Sequence, residues 1–95
     1  MDSTSTERTQ QGFYVRGRVQ GVGFRWWTRR VGSELGLVGA VRNLADGTVG
    51  VHVAGPAHTV EAFAAELANG PPGARVDGIE RFVSDRSLPS DFVIE

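Results

Sequence analysis

The feature that most constrains the fold is a change of hydrophobic period along a chain of 95 residues. Residues 13–19 alternate apolar and polar side chains, and this period of two is typical of a half-buried strand. From residue 24 onward, apolar residues recur at spacings of three and four, which indicates one face of a helix: Phe24, Trp27, Val31 and Leu35. The chain therefore begins with a strand that is followed by a helix, and Gly36 stands where a left-handed cap would end that helix.

Segments with the period of a strand and segments with the period of a helix follow one another to the end of the chain. Two strands joined by a tight turn at Asp46-Gly47 are followed by a second helix and two more strands, with predicted bounds 38–44, 48–54, 55–69, 74–83 and 91–95. A slip in the alternation near Asp77-Gly78 predicts a β-bulge. The order β-α-β-β-α-β plus a short last strand predicts an α+β fold. We expect a ferredoxin-like split β-α-β sandwich, an antiparallel sheet with two helices on one face.

Length and composition restrict the chain to one small globular domain. Hydrophobic residues make up 40% and charged residues 22%, and cysteine is absent, which excludes disulfides and thiolate metal sites. No apolar run reaches the roughly 18 residues that a membrane span requires. Residues 1–11 are rich in Ser, Thr and Gln and lack an apolar core, so we expect a disordered N-terminal tail, not a signal peptide. The domain then covers residues 12–95.

The net charge of −1 conceals a division of charge between the two halves of the chain. Residues 12–43 carry six Arg and one acidic residue, whereas residues 44–95 carry three Arg and eight acidic residues. The first segment thus has a charge of +5 and the second a charge of −5. We expect most of these arginines to be solvated or paired with the acidic half, while one or two could attract anions.

A glycine-rich segment at residues 17–25 (GRVQGVGFR) joins the first strand to the first helix. Glycines let several backbone N–H groups turn toward one point, beside the free N–H groups of the helix N-terminus. Such a concavity suits a phosphate, and Arg25 in the first helical turn could hold two of its oxygens. The spacing matches neither a Walker loop nor a dinucleotide fingerprint. Asn43, at the end of the second strand, could orient a water molecule against a bound phosphate.

These motifs together resemble the acylphosphatase family. The resemblance rests on GRVQGVGFR at 17–25, LGLVG at 35–39, Val41-Arg42-Asn43 and Asp46-Gly47, and it runs from about Phe13 to the C-terminus. It implies a small cytoplasmic hydrolase, without cofactor or metal, that cleaves acyl phosphates to a carboxylate and phosphate. It also implies that Arg25 binds phosphate, that Asn43 positions the attacking water, and that the phosphate lies in a cradle of seven residues: Arg18, Val19, Gln20, Gly21, Val22, Gly23 and Phe24.

The reaction itself requires few side chains. The leaving carboxylate has a conjugate-acid pKa of about 4, so it can depart at neutral pH without a general acid. What remains is to stabilise phosphoryl charge and to position water. No candidate base accompanies the motif, so we expect the proton of water to pass to the substrate phosphate. We expect a monomer that acts on a small molecule and binds neither nucleic acid nor a membrane.

Several residues invite other interpretations. His52 and His58 have no acidic cluster beside them and are not expected to bind metal. Trp27 falls on the core stripe of the first helix, whereas Trp26 falls outside it and is expected at the surface. Ala40 stands where the family usually has a bulky aromatic residue, so we expect altered sheet packing, with Trp26 or Trp27 filling the space.

Two other functions compete with hydrolysis. The chain could be a non-catalytic ferredoxin-like module that binds a phosphorylated ligand or RNA, although clustered aromatics of an RNA-binding sheet are absent from the sequence pattern. It could also be an acylphosphatase-like domain of a larger carbamoyl-transfer protein. The absence of Cys motifs and the end at Glu95 count against that expectation.

Overall fold

A computed structural model describes residues 7–95 of the chain. Within them the elements follow the predicted order: β1 (Arg8–Arg18), α1 (Phe24–Glu34), β2 (Val38–Asn43), β3 (Val49–Pro56), α2 (Ala57–Asn69), β4 (Arg75–Val83) and β5 (Phe92–Ile94). Gly36 has a φ of 75°, as expected for the residue that closes α1. Apart from the start of β1, the turns and caps read from the sequence therefore locate the element bounds to within a few residues.

The five strands form one sheet in the order β4-β1-β3-β2-β5, and two helices pack against it. The predicted ferredoxin-like sandwich is thus confirmed. The prediction of an antiparallel sheet is wrong at one edge, because β5 runs parallel to β2. Residues 84–91 must cross from the β4 edge to the opposite edge, and the chain re-enters the sheet there in the direction of β2.

The core lies between the helices and one face of the sheet. Alternate residues of β1 and β3 point into it, Phe13, Val15, Val49, Val51 and Val53, all with no exposed surface. The predicted stripe of α2 is also buried, namely Val60, Phe63, Ala64 and Leu67. Each large side chain buried here contributes about 1.5–3 kcal/mol, which makes this layer the main source of stability.

The first strand begins earlier than the sequence predicted. β1 starts at Arg8, and the pairing with β3 begins at Arg8 opposite Pro56, so the prediction of a disordered tail is wrong for residues 8–11. The polar side chains of this segment lack the hydrophobic alternation that indicates a strand, but in the structure they have hydrogen-bond partners. Gln10 Nε2 donates to Ser84 Oγ at 2.9 Å, and Gln11 Nε2 donates to the Phe82 carbonyl at 2.8 Å. Residues 1–6 of the predicted tail lie outside the described residues.

The predicted β-bulge is present in β4. Arg16 pairs with Gly78, but its neighbour Gly17 pairs with Val76, so Asp77 is the extra residue. Gly17 has a φ of 134°, and a Cβ there would lie 2.1 Å from the Arg75 carbonyl oxygen. The bulge therefore brings the two backbones so close that only glycine fits at position 17, the start of the glycine-rich segment.

Gly32, in the middle of α1, has a packing role that the sequence did not reveal. It is buried, and a Cβ at this position would lie 2.4 Å from Cδ2 of the Phe92 ring. Phe92 is itself only 3% exposed and packs against Phe63 with the rings tilted by 45° and their centroids 5.7 Å apart. The absence of a side chain at Gly32 thus allows β5 to dock against the helix.

Replacing Gly32 with Ala is expected to destabilise the fold. Ala is favoured over Gly in a helix by about 1 kcal/mol, but overpacking against Phe92 costs about 1–3 kcal/mol. We expect urea denaturation to show a loss of about 1 kcal/mol in the free energy of unfolding. The exposed neighbour Ser33, changed to Ala, is the control and should show no loss. A Gly32→Ala variant as stable as that control would contradict the packing role.

The segment from 84 to 91 lies on the face of the sheet opposite the helices. His52 Nδ1 lies 2.6 Å from Ser84 Oγ, and the His52 imidazole meets the Phe82 ring edge-on. Burial chiefly, and Arg86 secondarily, lowers the pKa of His52.

Ala40 pairs with His52 in register and alternates with the core residue Val41, so it is buried on this same face. The hypothesis that Trp26 or Trp27 fills the space at Ala40 is therefore wrong, because α1 lies on the other side of the sheet.

Candidate active site

The loop between β1 and α1 is anchored at both ends and open in its middle. Val19 and Phe24 are each 1% exposed in the core, and Val22 packs partly against it. Between them Gly21 and Gly23 have φ angles of 76° and 78°, in the left-handed region that favours glycine. No atom would obstruct a Cβ at either glycine, so these residues serve the course of the backbone rather than close packing.

This course leaves backbone donors without acceptors. Within residues 7–95, none of the N–H groups from Gln20 to Gly23 donates to another backbone carbonyl. Gly23 is the N-cap of α1, and the N–H groups of the first helical turn have no intrahelical acceptor either. Successive free N–H groups beside a helix N-terminus form a concavity of positive potential that suits an oxyanion.

Arg25 stands in the first turn of α1, directly after this loop. Its side chain is partly buried, and Nη1 donates to the backbone carbonyl of Glu95 at 3.4 Å. Among the described residues it forms no ion pair with an Asp or Glu side chain. One end of the guanidinium is thus held by the residue that follows β5, while its other donors can contact an anion.

Asn43 ends β2 and lies on the face of the sheet that carries the helices. Side chains alternate along a strand, so Asn43 shares the face of the core residue Val41, and Arg42 points to the opposite face. Asn43 is exposed at the end of the strand. Its amide supplies both a donor and an acceptor, as the orientation of a water molecule requires.

Gln20 connects the loop to the β2–β3 turn. Its Nε2 donates to the carbonyls of Leu44 and Thr48, both at 2.8 Å. Leu44 directly follows Asn43, so this side chain fixes the loop beside the strand end that carries the amide. The sequence placed Gln20 in the phosphate cradle. The structure uses its side chain for this connection, and its backbone N–H donates to no backbone carbonyl within residues 7–95.

The turn that receives Gln20 has its own internal support. Asp46 Oδ1 accepts hydrogen bonds from Thr48 Oγ1 at 2.6 Å and from Thr48 N at 3.0 Å. These bonds hold the pKa of the Asp46 carboxyl below its ordinary value. Leu44 N donates to the Thr48 carbonyl at 2.9 Å. The Asp46-Gly47 signal thus indicated the turn correctly, but the sequence did not reveal its connection to Gln20.

Replacing Gln20 with Leu should weaken substrate binding because the loop is no longer held in position, and not because a side-chain contact with the substrate is lost. We expect a loss of about 1–2 kcal/mol in the free energy of unfolding and a severalfold rise in KM for acetyl phosphate, because the loop is no longer fixed. Gln11→Leu is a matched control, since its amide also donates to a carbonyl at 2.8 Å, that of Phe82, but far from the loop. An equal rise in KM for both variants, or no rise for Gln20→Leu, would contradict this assignment.

The arginines of the positive half are not paired with the acidic half. The three ion pairs among residues 7–95 are Arg75–Asp77, Arg81–Glu61 and Arg86–Glu95. All three use arginines from residues 44–95. The six arginines of residues 12–43 form no ion pair with an Asp or Glu side chain in this part of the chain, so of the two expected alternatives, solvation or pairing with the acidic half, the structure does not show the pairing. Their charge is therefore available to attract anions toward the loop.

The other residues that the sequence analysis singled out have the following positions in the structure. Arg18 is the exposed last residue of β1. Trp27 packs against the core, and Trp26 is 63% exposed, as the helix stripe predicted. His58 is exposed on α2. Within the described residues, no three His, Asp or Glu side chains gather in a way that could hold a metal ion.

The family of the chain follows from a comparison with known proteins. The sequence model of the Acylphosphatase family matches residues 11–94. The chain belongs to the acylphosphatase family. It is an acylphosphatase enzyme, and the reaction of this family is the hydrolysis of acyl phosphates. Among residues 7–95, no helix is long and apolar enough to cross a membrane.

Individual acylphosphatases match over nearly the whole chain. The acylphosphatase of Thermobifida fusca is 46% identical over 87 residues, covering 90% of this chain and 96% of its own. An acylphosphatase structure from Coxiella burnetii superposes with a TM-score of 0.81 at 34% identity, covering 93% of each chain. Full-length HypF, solved in a phosphate- and nucleotide-bound form, superposes with a TM-score of 0.81 at 26% identity, covering 95% of this chain but 12% of that one.

Proposed function

We propose that this acylphosphatase holds the substrate phosphate with the loop at residues 18–24 and with Arg25, and orients the attacking water with Asn43. The observation that carries the proposal is the loop itself. Its free backbone N–H groups, its left-handed glycines and Arg25 converge at one helix N-terminus, and Gln20 fixes that loop beside the strand that ends at Asn43.

The proposed roles follow the charge that develops during the reaction. As the bond between phosphorus and the acyl oxygen breaks, negative charge is shared by the phosphoryl oxygens and the leaving carboxylate. Fixed N–H groups and a guanidinium stabilise this charge without reorganising. Arg25 acts as a phosphate ligand and not as a proton donor, because its guanidinium does not lose its proton in proteins.

Asn43 acts by position, because an amide does not take up a proton from water at neutral pH. It accepts one hydrogen bond from the attacking water and directs the water oxygen toward phosphorus, on the side opposite the leaving carboxylate. The proton passes from this water to a phosphoryl oxygen. The products are the carboxylate and inorganic phosphate, and no Asp or Glu takes part in the transfer.

A direct test is release of inorganic phosphate from acetyl phosphate, measured with EDTA present. We expect hydrolysis well above the spontaneous rate and unaffected by the chelator. Glu34→Gln and Asp46→Asn should retain activity, because no carboxylate serves as a base. Binding of acetyl phosphate without turnover would favour a non-catalytic phosphate-binding module, and a collapse of kcat in either carboxylate variant would contradict the proposed route of the proton.

The competing RNA-binding function finds little support in the sheet. The face opposite the helices does carry an exposed aromatic, Tyr14 at 37% exposure, but its ring is stacked on Phe82 at 4.3 Å between ring centroids, and residues 84–91 cross that face. Sheets that bind RNA present exposed aromatics on which bases stack. We propose that the partner is a small acyl phosphate, that the enzyme works as a monomer in the cytoplasm, and that neither nucleic acid nor a membrane is bound.

A further inference from the structure

A surface groove runs between α1 and β5. Trp26, Arg29 and Ser33 line it on the helix side, and residues 91–94 line it on the strand side, around a volume of about 620 Å³. Trp26 is 63% exposed, which is unusual for the largest apolar side chain of a small protein. None of these residues has a part in holding the reacting phosphate, so the groove has no use in the chemistry described above.

The groove begins at the candidate active site. Arg25 donates to the Glu95 carbonyl at 3.4 Å, and Arg29, one helical turn later, donates through Nε to the Phe92 carbonyl at 3.2 Å. The two guanidinium groups therefore face the same strand and follow one another along α1, with Cα atoms about 6 Å apart along the axis. A substrate whose phosphate contacts Arg25 can therefore place its acyl group in this groove, beside Arg29.

The lining of the groove has a definite chemical character. The Arg29 guanidinium lies 5.6 Å from the centre of the Trp26 ring, which fixes both side chains. Only Nε of Arg29 is engaged, and within residues 7–95 no carboxylate pairs with it, so its terminal Nη groups remain free donors. Asp91 lies farther along the groove and would repel an anion there. An anion is therefore favoured only at the Arg29 end.

We propose that the groove binds the acyl group of the substrate, and that it selects acyl phosphates whose acyl group is flat or extended and carries a second anionic group. The carbon skeleton packs against Trp26, and the second anion accepts hydrogen bonds from the Nη groups of Arg29. This inference rests on the proposed function, because it requires the reacting phosphate to lie at Arg25.

Two synthetic substrates isolate the second anion. In 4-carboxybenzoyl phosphate the rigid ring holds a carboxylate about one helical turn away from the acyl phosphate, and 4-methylbenzoyl phosphate has the same shape without that charge. The measured quantity is the ratio of their kcat/KM values at physiological salt. For the unmodified enzyme we expect a ratio above one. Arg29→Gln should lower this ratio about five- to tenfold, through KM, as the loss of a charge-assisted contact implies.

Controls separate contact from general charge. Arg8→Gln removes one positive charge at the start of β1, about 30 Å of strand away from the loop, and should leave the ratio unchanged. Trp26→Ala should lower kcat/KM for both benzoyl substrates relative to acetyl phosphate. An unchanged ratio in Arg29→Gln, or an equal fall in Arg8→Gln, would overturn the proposal. If acetyl phosphate is hydrolysed in those same preparations, the proposed function survives that result; if it is not, the proposed function itself has failed.

Discussion

Replacing Arg25 with Ala should lower kcat/KM for acetyl phosphate about a thousandfold and leave the melting temperature nearly unchanged. The large kinetic effect is expected because the guanidinium supplies donors where the transferring phosphoryl group is most negative. The small thermal effect is expected because the side chain is only partly buried. Its one side-chain hydrogen bond within the described residues is a long one, of 3.4 Å, to the main-chain oxygen of Glu95.

Two further variants sharpen this prediction. Arg25→Lys keeps the charge but loses the planar pair of donors, so its kcat/KM should fall between those of the original enzyme and Arg25→Ala. Arg30→Gln removes an exposed positive charge from the same helix and should change kcat/KM by less than about threefold. Phosphate release under pseudo-first-order conditions measures all three. If Arg30→Gln lost as much activity as Arg25→Ala, the effect would be one of total charge and not of contact.

The second large effect is expected at Asn43. Changing it to Ala should lower kcat about a hundredfold with little change in KM, because the amide positions water and does not hold the phosphate. Asn43 is exposed at the end of β2, so its removal leaves no cavity and the free energy of unfolding should hardly change. Steady-state kinetics and urea denaturation of the same preparation test both statements.

The division between kcat and KM is the discriminating result for Asn43. Arg42→Gln is a matched control, because it is the neighbouring exposed residue on the opposite face of the same strand. It should leave kcat close to that of the original enzyme. A large rise in KM for Asn43→Ala with kcat retained would mean that the amide binds the substrate, and the role of orienting water would then be wrong.

Local patterns predicted most of the fold. The α2 stripe of Val60, Phe63, Ala64 and Leu67 lies in the core as its spacing indicated. The errors arose where contacts between residues distant in the sequence determine the local structure. Residues 8–11 are polar, and only pairing with β3 and the amide contacts of Gln10 and Gln11 make them a strand. The parallel β5 is similar, because its direction depends on how residues 84–91 cross the sheet.

The candidate site, too, was predictable from the sequence only in part. Gly21 and Gly23 have the left-handed conformations that a glycine-rich loop predicts. No local pattern indicates that Gln20 reaches Leu44 and Thr48, 24 and 28 residues away, or that Arg25 reaches Glu95. The residue types that we propose for the chemistry can therefore be read from the motif. The contacts that hold them in position become visible only when the chain is folded.

The contact between Arg29 and Phe92 also affects how two molecules would meet. β5 is an edge strand, and its Phe92 carbonyl points away from β2, where another chain could pair with it; Arg29 Nε occupies that carbonyl at 3.2 Å. The opposite edge, β4, is interrupted by its bulge at Asp77. Short, bulged or occupied edges resist strand addition by a second copy. The side chain that we assign to substrate selection thus also hinders edge-to-edge aggregation, and its replacement would open one edge of the sheet to self-association.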